Sequence, residues 1–310
     1  MNKDGLLLVD KESGITSHDA VARVRRAAGI RKIGHTGTLD PLATGLLVLC
    51  IGGATRLQSY LTGMDKAYEG EIRFGWATDT YDAQGEPQSE QVDRDIESVD
   101  FEPLLEPFRG EIEQVPPAFS AKKVGGERAY KLARKGQTPE LEPKPVRIDE
   151  LEILEKSGST VRFRVACSAG TYVRSIAHEL GEAVGVGAHL ASLRRTAIGD
   201  FRVEDALRSD QLGEIEEADV FAEPHFRTFR EIRLPFDNLM VDPLQESKLV
   251  NGQTVVAKPQ EGSLEADEMV SVLNVGGELI AIARVKEVLR ENGGPVVIQP
   301  KVVLKRNDER

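Results

Sequence analysis

What this 310-residue chain lacks narrows its function first. No apolar run approaches the roughly 20 residues that cross a bilayer, so no membrane association is expected. The opening residues, Met1-Asn2-Lys3-Asp4-Gly5, carry neither the basic n-region nor the apolar h-region of a signal peptide. A cytoplasmic location is the expectation. Cysteine is scarce. The two present, Cys50 and Cys167, sit in apolar strand-like runs, which reads as buried thiols and not as a disulfide or metal site. The five histidines, His18, His35, His178, His189 and His225, show no ligand spacing with cysteines or carboxylates. A Walker loop, a dinucleotide fingerprint and a Gly-x-Ser-x-Gly elbow are all missing. No metal and no cofactor are therefore expected.

What is present fits a globular protein, with 40% hydrophobic and 29% charged residues. The length suggests two domains and a large core. The net charge of −11 argues at first against nucleic acid, but its distribution argues otherwise. Residues 79–113 hold 12 acidic and 2 basic side chains, whereas residues 120–150 hold 8 basic against 5 acidic. An acidic back with basic segments elsewhere can bind a polyanion locally.

The chain is organised around residues 34–45, Gly-His-Thr-Gly-Thr-Leu-Asp-Pro-Leu-Ala-Thr-Gly. Gly34, Gly37 and Gly45 permit backbone angles that other residues resist. Pro41 biases Asp40 towards an extended geometry. The apolar run Leu46–Ile51 follows at once and reads as a buried strand. One carboxylate is thus held on a stiff loop at the edge of a core, as a positioned reactive group would be. A turn whose Asp merely caps backbone N–H groups is the alternative.

Around this loop the pattern predicts a strand at Leu6–Val9 and a helix from an N-cap at Thr16, with Asp19 completing a capping box, to Gly29. A short helix near 54–61 is expected. Tyr68, Gly70, Ile72 and Phe74 alternate with charged residues as a half-exposed strand. Residues 118–145 form a basic excursion with a helix near 127–135, expected to be peripheral and mobile. Strands follow at 146–154 and 160–167, where Val161, Phe163, Val165 and Cys167 face inward. A helix then carries Val173, Ile176, Ala177, Leu180 and Val184 on one face. Arg174 lies in its first turn, where the helix dipole disfavours a cation. A carboxylate partner is the economical expectation. A strand at 191–198 carries Leu193, Arg194 and Arg195, and some helix is expected over 203–212. Beyond Leu239, short strands separated by Gly, Pro and charged turns read as a small β-barrel.

Five blocks resemble the bacterial TruB family of tRNA pseudouridine synthases: Gly5–His18, Gly34–Leu57, Lys66–Tyr68 with the strand after it, Val115–Lys123 and Cys167–Arg195. They keep the family's order across most of residues 5–200. The C-terminal barrel resembles a PUA RNA-binding domain. The resemblance implies an α+β fold. Its pseudouridine synthase core, a mixed, mainly antiparallel sheet flanked by helices, spans residues 1–235, with a PUA-like barrel at 236–310. It implies isomerisation of uridine 55 in the tRNA T loop to pseudouridine. Asp40 falls on the family's catalytic aspartate, Tyr68 on the tyrosine that stacks on the target base, and Arg174 on the arginine paired with the aspartate. His35 falls on a histidine that stabilises the flipped-out loop, and Leu193 on an apolar residue of the pocket. Lys11, Tyr172 and, in the insertion that closes on RNA, Lys122, Lys123 and Arg128 are further expected substrate contacts. For Tyr172 and Leu193, plain core packing is the competing reading. The insertion also implies a stand-alone enzyme, acting on the tRNA T-arm as a monomer without guide RNA.

The chemistry is consistent with this resemblance. A glycosidic bond inside a folded loop is reached only by flipping the nucleotide out. Asp40 could then attack the ribose, act as a base or add to the ring. A tRNA-binding or tRNA-folding protein using the same surface without catalysis is the rival reading.

Overall fold

The computed structural model describes residues 3–304, except 121, 125, 134, 138–140, 261, 291 and 292. Among them, β1 (Gly5–Lys11), α1 (Ser17–Ala28), β2 (Ile33–His35), β3 (Thr44–Ile51), α2 (Gln58–Thr62) and β4 (Lys66–Phe74) come first. There follow α3 (Glu102–Leu105), β5 (Gly110–Gln114), β6 (Lys123–Val124), β7 (Glu127–Arg128), α4 (Ala129–Ala133), β8 (Lys144–Ser157), β9 (Thr160–Cys167), α5 (Val173–Val184) and β10 (Ala188–Ile198). Three two-residue strands come next, β11 (Phe201–Arg202), β12 (Leu207–Arg208) and β13 (Phe226–Arg227), the last preceded by α6 (Glu217–Val220). The C-terminal part adds β14 (Asp237–Met240), α7 (Pro243–Val250), β15 (Val255–Ala257), β16 (Met269–Leu273), β17 (Leu279–Val288) and β18 (Val296–Val303).

Local chemistry explains several boundaries. Thr16 Oγ1 accepts from the Asp19 amide at 3.1 Å and Asp19 Oδ2 accepts from the Thr16 amide at 2.9 Å, which closes the capping box. Gly29 ends α1 at φ 64°, in the left-handed region that suits glycine. In β4 the residues Tyr68, Ile72 and Phe74 are buried on one face, as the period-2 pattern requires. Both cysteines are free and buried. Burial pushes Cys50 up to about 12 and Cys167 up to about 11, so both stay thiols.

The large sheet runs β12-β1-β3-β10-β4-β9-β8-β5, with β2 on β3, β11 on β10 and β13 on β1. It is mixed and mainly antiparallel; the parallel contacts are β1 with β12 and β3 with β10. Helix α5 packs beneath it through Ile176, Ala177 and Leu180, against Ile72, Phe74, Phe163 and Leu190 in one apolar cluster. On the other side of β1 and β3, α1 covers Leu7, Val9, Leu47 and Leu49.

The C-terminal sheet runs β14-β16-β17-β18-β15. Where a small β-barrel is expected, the described residues form a five-stranded sheet whose edge strands do not pair with each other. Strand β18 continues past Pro300 with a register shift against β17. The two sheets share one core: Leu279, Ile282 and Leu304 pack with Leu6, Leu8, Leu46, Val48 and Phe229.

Three other expectations are corrected. Residues 203–212 hold no α-helix: a 3-10 turn at Val203–Asp205 leads to β12, whose pairing with Val9 and Asp10 extends the sheet edge, and a second 3-10 turn begins at Gln211. The helix expected near 127–135 is shortened to α4, because Glu127 and Arg128 form β7 and pair with β6. The helix expected at 54–61 is a 3-10 turn over Gly52–Leu57 running into α2. In each case a strand partner or a preceding Gly pair outweighs weak helical periodicity.

Candidate active site

The loop between β2 and β3 is held by bonds from three directions. From the N-terminal side, Lys11 Nζ reaches the carbonyls of Glu12 and Ile15 at 2.8 Å each and that of Pro41 at 3.5 Å. The Gly14 amide donates to Pro41 O at 2.8 Å. From α1, Ser17 Oγ donates to Leu39 O at 3.0 Å and accepts from Leu39 N at 2.8 Å. From β10, Arg195 Nη2 donates to Gly37 O at 3.1 Å and its Nε to Leu46 O at 2.7 Å. Gly45 has φ 96°, and a Cβ there would stand 2.3 Å from Arg195 O, so the parallel contact of β3 with β10 requires glycine. Gly34 has no positive φ; its missing Cβ makes room for Gln58 instead.

Asp40 projects from this loop into a cleft of about 310 Å³ whose walls include Ala43, Lys66, Tyr68, Ser120, Tyr172, Arg174, Leu193 and Arg195. The Arg174 guanidinium meets Asp40 Oδ2 at 3.1 Å through Nε and Asp82 Oδ2 at 3.6 Å through Nη1. It also donates to Thr80 O at 3.0 Å and Phe119 O at 3.1 Å. The cation in the first turn of α5 thus has two carboxylates beside it, not the single one expected. Asp82 is buried and further held by the Thr80 hydroxyl at 2.6 Å and the Gln84 amide at 3.0 Å. Such a network fixes a guanidinium in one orientation and, through it, the carboxylate of Asp40.

Tyr68 is buried at the wall. Burial raises its phenol above the ordinary range, while a hydrogen bond and the charge of Arg195 act the other way; the group stays a neutral O–H. Tyr172 sits at the N-terminus of α5, where its backbone amide donates to Gln114 Oε1 at 2.7 Å and its carbonyl accepts from Gln114 Nε2 at 3.0 Å. Burial raises its phenol too.

Of the expected site residues, Asp40, Tyr68, Tyr172, Arg174 and Leu193 meet in this one cleft. His35 does not line it: on β2 it faces His18, ring centroids 5.6 Å apart and nearly perpendicular, and burial lowers its pKa. Lys11, an expected substrate contact, does not line the cleft. Its side chain has no exposed surface; it donates to Glu12 O and Ile15 O in the turn after β1 and reaches Pro41 O of the loop at 3.5 Å. Lys122 is half-buried in the insertion and lies outside the cleft walls. Lys123 and Arg128 pair through their backbones in the hairpin; their side chains lie outside the described residues. Sequence reasoning missed Lys66, Arg195 and Asp82. The first two were within reach of the period-2 rule: Lys66 shares a face with Tyr68, and Arg195 with Leu193. Asp82 had no signal, since it lies in the polar stretch 77–95.

Two solved structures match nearly the whole chain. One is an archaeal box H/ACA sRNP complex at 23% identity, TM-score 0.72, covering 99% of this chain and 88% of that one. The other is an H/ACA RNP bound to a substrate RNA at 22% identity and TM-score 0.71, covering 98% and 86%. These show the fold. Family models narrow this: the N-terminal domain of TruB family pseudouridylate synthases matches residues 25–173, and the tRNA pseudouridylate synthase B C-terminal domain matches residues 174–241. The chain belongs to the TruB family. It is 46% identical to tRNA pseudouridine synthase B of Solibacter usitatus over 91% of this chain and 96% of that protein. It is 49% identical to the protein of the same name from Geobacillus kaustophilus over 66% and 74%.

Proposed function

We propose that the protein converts uridine 55 in the T loop of tRNA to pseudouridine, with Asp40 as the catalytic carboxylate. The observation that carries this reading is the 3.1 Å pairing of Arg174 with Asp40 inside a cleft walled by Tyr68 and Leu193. A flipped uridine enters the cleft and its ring packs on Tyr68. Arg174 holds the Asp40 carboxylate aimed at the nucleoside. Leu193 and Ala43 exclude water, so the detached uracil is not lost before it rejoins the ribose through C5. The product is an isomer of the substrate, so no group is gained or lost overall.

The names of the relatives support tRNA as the substrate. Residues 1–235 are assigned to catalysis, with the basic stretch near 118–145 closing on the T-arm. Residues 236–310 are assigned to a PUA-like RNA-binding unit. The enzyme works in the cytoplasm as a monomer and without guide RNA. Incubating unmodified tRNA with the protein and mapping pseudouridine tests the reading. Wild type should modify position 55, and Asp40→Asn should bind tRNA but lose turnover by about 10³-fold or more. Binding by wild type without any pseudouridine would favour a purely RNA-folding role.

A further inference from the structure

Three cations near the Asp40 loop are buried without a carboxylate. Lys11, Lys66 and Arg195 are 0%, 8% and 1% exposed. Among the described residues none of them has an Asp or Glu oxygen within 4.0 Å, whereas Arg174 has two. They lean on carbonyls instead: Lys66 on Thr62 O at 2.9 Å and on Met64 O, Arg195 on Leu46 O and Gly37 O. Burying an unpaired charge opposes folding, and an uncharged side chain of similar size would fill such a place more favourably. Lys11 has a structural use in the loop. Lys66 and Arg195 differ from it because both line the cleft. They face each other and Tyr68, with Cys167 and Asp65 near Lys66. Burial and the charge of Arg195 lower Lys66 to about 8, against smaller opposite effects of Cys167 and Asp65. Lys66 uses two of its three N–H donors on carbonyls, and Arg195 keeps donors beyond its two carbonyl bonds.

We propose that Lys66 and Arg195 form a cationic wall that stabilises the uracil ring as an anion while it is detached from the ribose. This rests on the isomerase reading above and adds to it the group that bears the leaving charge. Whichever atom Asp40 engages first, the C1′–N1 bond must break with its electron pair leaving on the ring. The resulting uracil monoanion spreads that charge over N1, O2 and O4. After the ring turns, the electron pair at C5 forms the new bond to C1′, any bond Asp40 has made to C1′ or to the ring breaks, any proton it took from the ribose returns there, C5 gives up its proton and N1 gains one. Atoms and charge balance without an oxidant, reductant or co-reactant. A ring that must rotate cannot keep one fixed hydrogen bond. Two cations in a water-poor cleft act on it in every orientation. A backbone phosphate is a poorer match for the wall, because both cations lie in the interior of a cleft shared with Tyr68, Ala43 and Leu193.

The test uses the full-length protein and unmodified tRNA, with folding of each variant checked by circular dichroism. Lys66→Met should lower kcat by about 10²-fold and leave KM within about twofold. Lys66→Arg should restore turnover and hold it at alkaline pH, where wild type declines as Lys66 loses its proton above about 8. Arg195→Lys keeps the charge and should retain most of the rate. It supplies a second reading if Lys66→Met is unstable. An unchanged kcat in Lys66→Met, with a raised KM and a shallower salt dependence of binding, would assign the wall to a phosphate and overturn the proposal. An alkaline limb identical in wild type and Lys66→Arg would also overturn it. Both results leave pseudouridine formation by wild type intact, and so are distinct from failure of the isomerase reading.

Discussion

The C-terminal sheet buries Val270, Val272, Ile280 and Ile298 together, and its buried polar side chains among the described residues are Ser271 and Asn274. One end of the large sheet buries Lys11, Lys66, Asp82, Arg174 and Arg195 around a single loop. The first arrangement is what folding alone selects: apolar area removed from water, with few polar groups to satisfy. The second works against stability and persists only where the charges are used. The contrast separates a sheet that buries charge around one loop from a sheet that buries almost none. The two are nevertheless tied by the shared cluster of Leu279, Ile282 and Leu304 with the back of β1 and β3.

The largest effect should come from cutting that tie. Ending the chain at Phe236 would strip Leu279, Ile282 and Leu304 from the back of the large sheet. At about 1.5–3 kcal/mol for each buried aliphatic side chain, roughly 5 kcal/mol or more of stability is lost. Urea unfolding of the shortened chain measures it, and an unchanged midpoint would make the two sheets independent modules. Arg174→Ala comes next. It leaves Asp82 buried without its cation and Asp40 without its guide. Single-turnover rates should fall by about 10²-fold or more, with tRNA affinity little changed; weakened binding at a normal rate would refute the pairing.

The smallest effect has the opposite sign. Lys66→Met should raise stability at pH 7 by about 1–2 kcal/mol, once the lost carbonyl hydrogen bonds are set against the relieved burial of charge. Lys66 has a folded pKa of about 8, against the 10.5 of a lysine free in water. Below about 8 the folded protein carries the full penalty. As pH rises towards 10.5 the unfolded chain holds the proton that the folded one has released, so wild-type stability increases and the advantage of the variant shrinks. Thermal melts of both proteins between about pH 7 and pH 10 would check the trend, and a constant difference would show that burial of the charge is not the cause.

Much of this architecture could be read from local pattern. The capping box at Thr16 and Asp19, the alternation in β4 and β9, and the apolar face of α5 all depend on near neighbours in sequence. Helix α7 was equally legible and was passed over: Asp242-Pro243 and Gln245 form its N-terminal box. The strands β2, β12, β13 and β14, of two to four residues, were not legible, because pairing with a distant partner creates them. The barrel expected at the C-terminus failed for a related reason. Strand spacing says that strands exist and says nothing about whether their edges meet.

The sequence by itself determined that one carboxylate sits on a stiff loop and that an arginine at a helix start needs negative charge. Both follow from backbone preference and the helix dipole, which act over a few residues. Only the tertiary structure decided that Asp82 shares Arg174 with Asp40, that Lys11 props the loop, and that Lys66 and Arg195 face the cleft without a counter-charge. Those relations join residues as far apart as Gly37 and Arg195. The energy of a buried charge depends on what the fold brings within a few ångströms of it, which no local stretch of chain contains.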